Sequence, residues 1–253
     1  MKITILGSGT SQGVPVIGCK CDVCKSTDEH DKRLRTSVFI QTDKVSFVID
    51  AGPDFRQQML RNNITHLDAV LITHEHKDHI GGMDDIRSFN FLQKFTMPVY
   101  ASEAAQQEIK REYSYAFDEH PYPGAPAYKM ITLTEEPFTL GDLRIEPIKL
   151  PHMSLTCYAF RMGKFAYVTD LSEMPQEAFD KLKGVEYLII EALRKEKHYS
   201  HLCLAEALEI IEKLDVKHAW LTHLSHSMGK YKDLNPTLPS NVELAYDNQV
   251  IEL

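Results

Sequence analysis

Short apolar runs rich in β-branched residues punctuate this chain. They fall at Lys2 to Leu6, Val45 to Ile49, Ala69 to Ile72, Met97 to Tyr100, Leu143 to Ile148, Phe165 to Val168, Tyr187 to Ile190 and Ala219 to Leu221. Their length and composition predict strands. Between them, helical patterns run from Pro53 to Arg61 with proline in the first turn, from Glu103 to Phe117 behind Ser102, from Pro175 to Lys183 before Gly184, and from Leu202 to Leu214. In the last of these Leu204, Leu208 and Ile211 make one apolar stripe, the mark of a helix packed on a core rather than of a partner groove. Asp118 to Ala127, with three prolines and a glycine, reads as a loop. No repeat or long linker divides the 253 residues, so the expectation is one α/β (α+β) domain over 1–253.

The polar residues beside these runs are unusual. Asp50, His74, His152, Asp170 and His223 each follow a predicted strand. If those strands share a sheet and a direction, the five side chains converge on one rigid edge that faces solvent. Polar strand ends are common, but so dense a set of histidines points to a site. His74-Glu75-His76-Lys77-Asp78-His79 sharpens it, because packing these imidazoles and carboxylates together is electrostatically awkward unless a cation organises them. Neutral imidazole and carboxylate suit zinc, manganese or iron, and sequence does not rank these. His30, His66, His120 and His218 fit plain surface histidines instead.

A formal charge of −8 gives no basic footprint for generic nucleic-acid binding, while a small anionic substrate stays open through local cations and metals. Met1 to Gly18 is interrupted by Ser8, Thr10, Ser11 and Gln12, so it resembles neither a signal sequence nor a membrane span, and the expected compartment is the cytoplasm. Of five cysteines, Cys19, Cys21 and Cys24 cluster. That suits a reducing compartment and a metal site better than a disulfide framework. Three thiolates favour zinc in a closed tetrahedral site whose fourth ligand is missing locally; three reduced cysteines without metal are the plainer alternative. Cys157 and Cys203 read as packed thiols.

The His-x-His-x-Asp-His run after an apolar strand, with later His152, Asp170 and His223, resembles the metallo-β-lactamase superfamily across nearly the whole chain. The resemblance implies a four-layer αββα sandwich with two metal ions at one edge of facing sheets. By position His74, His76 and His152 would hold one ion, Asp78, His79 and His223 the other, with Asp170 bridging and Asp50 orienting a ligand. Bridging aspartate fits the phosphodiesterase branches; true β-lactamases often place cysteine there. A narrower resemblance, to PhnP-type phosphodiesterases, rests on Gly7-Ser8-Gly9-Thr10-Ser11-Gln12-Gly13-Val14-Pro15, the cysteine cluster, and Leu221-Thr222-His223-Leu224-Ser225-His226. It implies a structural zinc on Cys19, Cys21, Cys24 and His226, and a homodimer.

Phosphodiester hydrolysis needs a nucleophile, charge stabilisation and a proton for the departing oxygen. The resemblance implies a metal-bridging hydroxide for the first and the ions, zinc or manganese, for the second. His201 matches the histidine before a helix used in the phosphodiesterase and transfer-RNA-processing branches, and is assigned as general acid. His198 is its competitor and a plain helix-start histidine the alternative. Asp78 is counted with His201 as catalytic. Arg87 is a candidate for a phosphate oxygen, against a salt bridge with Asp84 or Asp85. Tyr113 to Tyr128 is read as a packed surface loop before a lid whose Tyr115 or Tyr122 stacks on substrate. The expected function is a phosphodiesterase on small, cyclic phosphodiesters. A transfer-RNA 3′-endonuclease, a glyoxalase-type thioester hydrolase and a metal-binding module without turnover are the competing readings; the first lacks a basic arm, the second leaves the cysteines and His201 unexplained.

Overall fold

In the computed structural model, which describes residues 1–253, the chain forms two seven-stranded sheets. The first contains β1 (Lys2–Gly7), β2 (Ser37–Gln41), β3 (Ser46–Ile49), β4 (Ala69–Leu71), β5 (Met97–Ala101) and β6 (Tyr128–Thr132). The second contains β7 (Phe138–Leu140), β8 (Leu143–His152), β9 (Leu155–Met162), β10 (Phe165–Val168), β11 (Tyr187–Glu191), β12 (His218–Thr222) and β13 (Val242–Leu244). Strand β14 (Val250–Glu252) then returns to pair antiparallel with β1. Helices α1 (Phe55–Arg61), α2 (Lys77–Ile80), α3 (Arg87–Gln93) and α4 (Glu103–Glu112) belong to the first half. Helices α5 (Gln176–Leu182), α6 (Leu204–Leu214) and α7 (Tyr231–Leu234) belong to the second.

Period-two alternation sorts the strand residues into three apolar layers. Ile3, Ile5, Phe47 and Ile49 from one sheet meet Phe160, Tyr167, Ile189 and Trp220 from the other, and this layer joins the sheets face to face. Their neighbours point outward. Leu6, Val48 and Val70 pack with Phe55, Ile86 and Ile109 under α1 to α4. Val168, Leu188 and Ile190 pack with Leu182, Ala207 and Ile211 under α5 and α6. The result is the αββα sandwich, with helices over both outer faces. Leu204 and Leu208 are half-buried against this core, as the stripe predicts. No helix is long and apolar enough to cross a membrane.

Strand direction decides where the polar residues go. Strands β3 to β6 run parallel, and so do β10 to β13. Strand β8 is two antiparallel steps from β10 and therefore shares its direction. Carboxyl ends thus gather at one edge of the sandwich. Two expectations shift. His152 is the last residue of β8, not a residue beyond it, because the strand continues through Pro147 and Pro151. Proline is tolerated there since β7 pairs only as far as Ile145, which leaves β8 with an open side. Helix α4 stops at Glu112, and Ser114–Ala116 form a tight turn instead of continuing to Phe117.

One close approach fixes the edge. Ala51 N donates to His79 O and Gly82 N to Ala51 O, both at 2.8 Å. A Cβ on Gly52 would lie 1.9 Å from Asp78 O. Gly52→Ala must therefore push Asp78 and His79 aside, an overpacking cost of about 1–3 kcal/mol. Urea unfolding of chelator-treated protein should show that loss; an unchanged midpoint would contradict the contact.

Candidate metal centre

Both sheets supply the site. From the first come Asp50 after β3, His74 and His76 after β4, and Asp78 and His79 in α2; from the second come His152, Asp170 after β10, and His223 after β12. Asp50, Asp170 and His223 have φ of 67°, 54° and 56°. Left-handed backbone is uncommon outside glycine and concentrates where a site over-determines the chain. Here it turns each strand end sharply toward the common edge.

The ring nitrogens are sorted by their partners. His79 Nδ1 donates to Asp50 Oδ2 at 2.7 Å, and Asp50 also accepts from Thr73 N and Oγ1. His152 Nδ1 donates to Ser200 O at 3.1 Å, and His74 Nδ1 lies 3.0 Å from Thr73 Oγ1. Such bonds leave the other nitrogen with a free lone pair. Those nitrogens converge: His74 Nε2 and His152 Nε2 lie 2.9 and 3.3 Å from His76 Nδ1. Two imidazoles on one tetrahedral ion would sit about 3.3 Å apart, nitrogen to nitrogen. The second set joins His79 Nε2 to Asp78 Oδ2 at 3.2 Å, with His223 Nε2 3.7 Å from the same oxygen. Asp170 lies between the sets, its Oδ2 3.3 Å from His79 Nε2 and its Oδ1 3.4 Å from His223 Nε2. It also groups with His74.

Electrostatics show what this set demands. His79 Nε2 and both nitrogens of His223 are buried without a hydrogen bond. Burial opposes a charge on His79, yet Asp78, Asp170 and Asp50 raise its pKa well above the imidazole range. Burial holds His74 well below that range and lowers His152. Burial also opposes ionisation of Asp170, but His223, His79 and His74 more than offset it and hold the carboxyl below its ordinary value. Carboxylates that draw a proton onto a fully buried imidazole are calling for positive charge, and uncoordinated donors aimed at one another offer it a seat. The donor set fits divalent ions.

A second cluster closes away from these residues. Cys19, Cys21 and Cys24 Sγ lie 3.3, 3.4 and 3.6 Å from His226 Nδ1. Thiolate sulfur and imidazole nitrogen on one tetrahedral zinc are about 3.5 Å apart. The Cys24 N–H, donated to Cys21 Sγ, helps bring that thiol down to about 6. Cys157 and Cys203 are buried singly.

Sequence reasoning missed Glu191. It is fully buried; Oε2 accepts from His201 Nδ1 at 2.8 Å, and Oε1 accepts from the backbone N–H groups of Leu171 and Leu202. The signal was present, since Glu191 directly follows the predicted strand Tyr187 to Ile190, as Asp50 follows its own. His201 lines the cleft over the metal-binding groups, whereas His198 does not. His198 Nδ1 accepts from Ser200 N and Oγ instead. Arg87 is not brought to the cleft: its guanidinium reaches Asp84 at 3.0 Å and Tyr122 Oη at 3.3 Å, so the salt bridge replaces the phosphate contact. Tyr113 and Tyr128 bond the carbonyls of Ile80 and Met83, and Tyr115 bonds Asp84, so this segment packs against residues 80–87 rather than covering the cleft.

The family model for the beta-lactamase superfamily domain matches residues 46–224. The chain belongs to the metallo-β-lactamase superfamily. Within it, a crystal structure of a new diphosphatase from the PhnP family superposes with a TM-score of 0.92 and 38% identity, covering 100% of this chain and 97% of that one. Within the superfamily it is of the PhnP type. Zinc-bound PqqB from Methylobacterium extorquens shares the fold at a TM-score of 0.81 with 16% identity, each chain covered fully. An octanoyltransferase from Porphyromonas gingivalis is 39% identical over 250 residues, 98% of this chain but 50% of that protein. The chain therefore spans about half the length of that relative.

Asp50 binds no free cleft space; it aims His79. Asp50→Ala should weaken divalent-metal affinity about 10–100-fold in a chelator competition, the usual cost of losing a carboxylate behind a histidine ligand. Equal affinity in wild type and variant would remove Asp50 from that role.

Proposed function

We propose that this chain is a phosphodiesterase that works with two divalent ions, zinc or manganese, on small phosphodiesters, cyclic ones included. The observation that carries the reading is the placement of two donor triads, His74, His76, His152 and Asp78, His79, His223, around Asp170, with a His201–Glu191 pair set against Asp170 and His223. In this reading Asp170 would be shared between the ions, and Cys19, Cys21, Cys24 and His226 would hold a structural zinc. The homodimer implied by the sequence resemblance is kept as part of the proposal.

When bound, the ions would supply an activated water and offset charge on the phosphoryl oxygens. The remaining steps fall to side chains. His201 gives its Nδ1 proton bond to Glu191, which leaves Nε2 for the departing oxygen. Burial works against its charge, but Glu191 and Asp170 outweigh burial and lift His201 to about 9. Such an imidazole is protonated at neutral pH and serves as general acid. Asp78, with its carboxyl held down by His79 and His223 against the cost of burial, stays ionised and catalytic beside it. No lysine or arginine lines the cleft, so an anionic substrate depends on the ions and on the His201 imidazolium for compensating charge.

The similarity to a PhnP-family diphosphatase supports a second reading, hydrolysis of a diphosphate ester. The two differ in leaving group. A phosphate leaves without help, while an alkoxide needs the proton of His201. Octanoyl transfer, named for a relative about twice as long, is not assigned to this chain.

Metal analysis combined with a panel of bis-aryl phosphate, cyclic nucleotides, a phosphoribosyl cyclic phosphate, a diphosphate ester, a thioester and precursor transfer RNA tests the reading. Two bound ions without turnover of any phosphoester would overturn it. His201→Ala should keep both ions and lose about 10²–10⁴-fold in turnover of alkyl phosphodiesters, and much less on aryl ones. Because a carboxylate beside an imidazolium raises its pKa, Glu191→Gln should move the alkaline limb of the pH–rate profile for alkyl esters down by about 1–3 units. An unmoved limb would separate Glu191 from the acid.

A further inference from the structure

The cleft above the metal-binding groups encloses about 420 Å³. That is room for one nucleoside-sized group beyond a phosphate. Two of its lining residues are large and apolar yet open to solvent: Tyr199 is 76% exposed and Met153 57%. Met153 opens the two-residue hairpin turn between β8 and β9, where φ 55° suits a tight turn, and its N–H donates to Ser172 Oγ at 2.7 Å, which fixes this tip of the hairpin at the rim. Tyr199 stacks on His198 at 4.5 Å and 29°, and His198 is itself held through Nδ1 by Ser200. The phenol ring is therefore pre-set at the rim before any ligand arrives, which lowers the entropic cost of using it. Elsewhere the lining offers Ser11, Ser154 and Ser200 but no lysine or arginine.

We propose that Tyr199, with Met153 beside it on the rim, binds a planar aromatic group of the substrate, a nucleobase, so that this hydrolase prefers nucleoside-bearing phosphoesters to bare sugar phosphates. The inference rests on the phosphoester reading of the same cleft. Ring stacking and thioether contact recognise any base, because every base has a π-face. The preference is therefore broad among bases.

The test is calorimetric binding to the metal-loaded protein of adenosine 5′-monophosphate and ribose 5-phosphate, which share the phosphate and sugar and differ in the base. Wild type should favour the nucleotide by about tenfold or more, the range of one stacked base. Tyr199→Ala should bring the ratio near one, while Tyr199→Phe keeps it because the ring does the stacking. Equal binding in wild type, binding of neither ligand at millimolar concentration, or a preference that survives Tyr199→Ala would overturn the inference. Turnover separates it from the broader reading. Phosphodiester hydrolysis without a nucleotide preference sinks the base site alone; a Tyr199-dependent preference without hydrolysis of any phosphoester sinks the hydrolase chemistry alone.

Discussion

Each donor triad is divided between the two sheets. His74 and His76 come from the first and His152 from the second; Asp78 and His79 come from the first and His223 from the second. Like-signed and lone-pair-bearing groups from opposite halves thus meet across the seam of the sandwich, and only a cation makes that meeting favourable. The apolar layer of Phe47, Ile49, Tyr167 and Ile189 holds the sheets at the needed separation. Thr36 Oγ1 joins Thr222 Oγ1 at 3.0 Å and Tyr167 Oη at 3.2 Å close to the same edge. Packing energy from the core is what keeps unfavourable polar groups in place, and the left-handed turns at Asp50, Asp170 and His223 are part of that imposed arrangement.

Much of this was readable in the chain because it follows local rules. Eight apolar runs became strands, and residues placed just beyond them arrived at one edge, since parallel strands put their carboxyl ends together. Strands such as β2, β9 and β13 escaped notice, being short or mixed with polar residues whose burial depends on partners distant in sequence. Helix α2 could not be read at all: its four residues are dominated by site chemistry rather than by an apolar stripe. Arg87 illustrates the limit for charged side chains. Its type allowed a phosphate contact, but its reach was claimed by Asp84 three residues earlier on the same turn. Glu191 shows the opposite case, a residue that obeys the strand-end pattern but was hidden in the apolar stretch Tyr187 to Leu193.

Fold alone does not separate the chemistries that this superfamily performs. Outside the donor set stand the paired His201 and Glu191, a rim of Tyr199 and Met153, and a distant cysteine cluster. The last of these joins Cys19 to Cys24 with His226, three residues past His223, while Thr10 N and Leu224 N exchange backbone bonds with Leu224 O and Ser8 O. Ser11 reaches the cleft from this loop. The floor of the cleft therefore belongs to the sheets and its walls to segments tied onto them.

Glu191 has a consequence for motion. One carboxylate at the end of β11 accepts from Leu171, beside Asp170, and from both the ring of His201 and the backbone of Leu202. His201 and Asp170 are thereby harnessed to a single rigid strand end. A fluctuation that moves one of them moves the other, so their separation is buffered against loop breathing, and the two cannot be retuned one at a time.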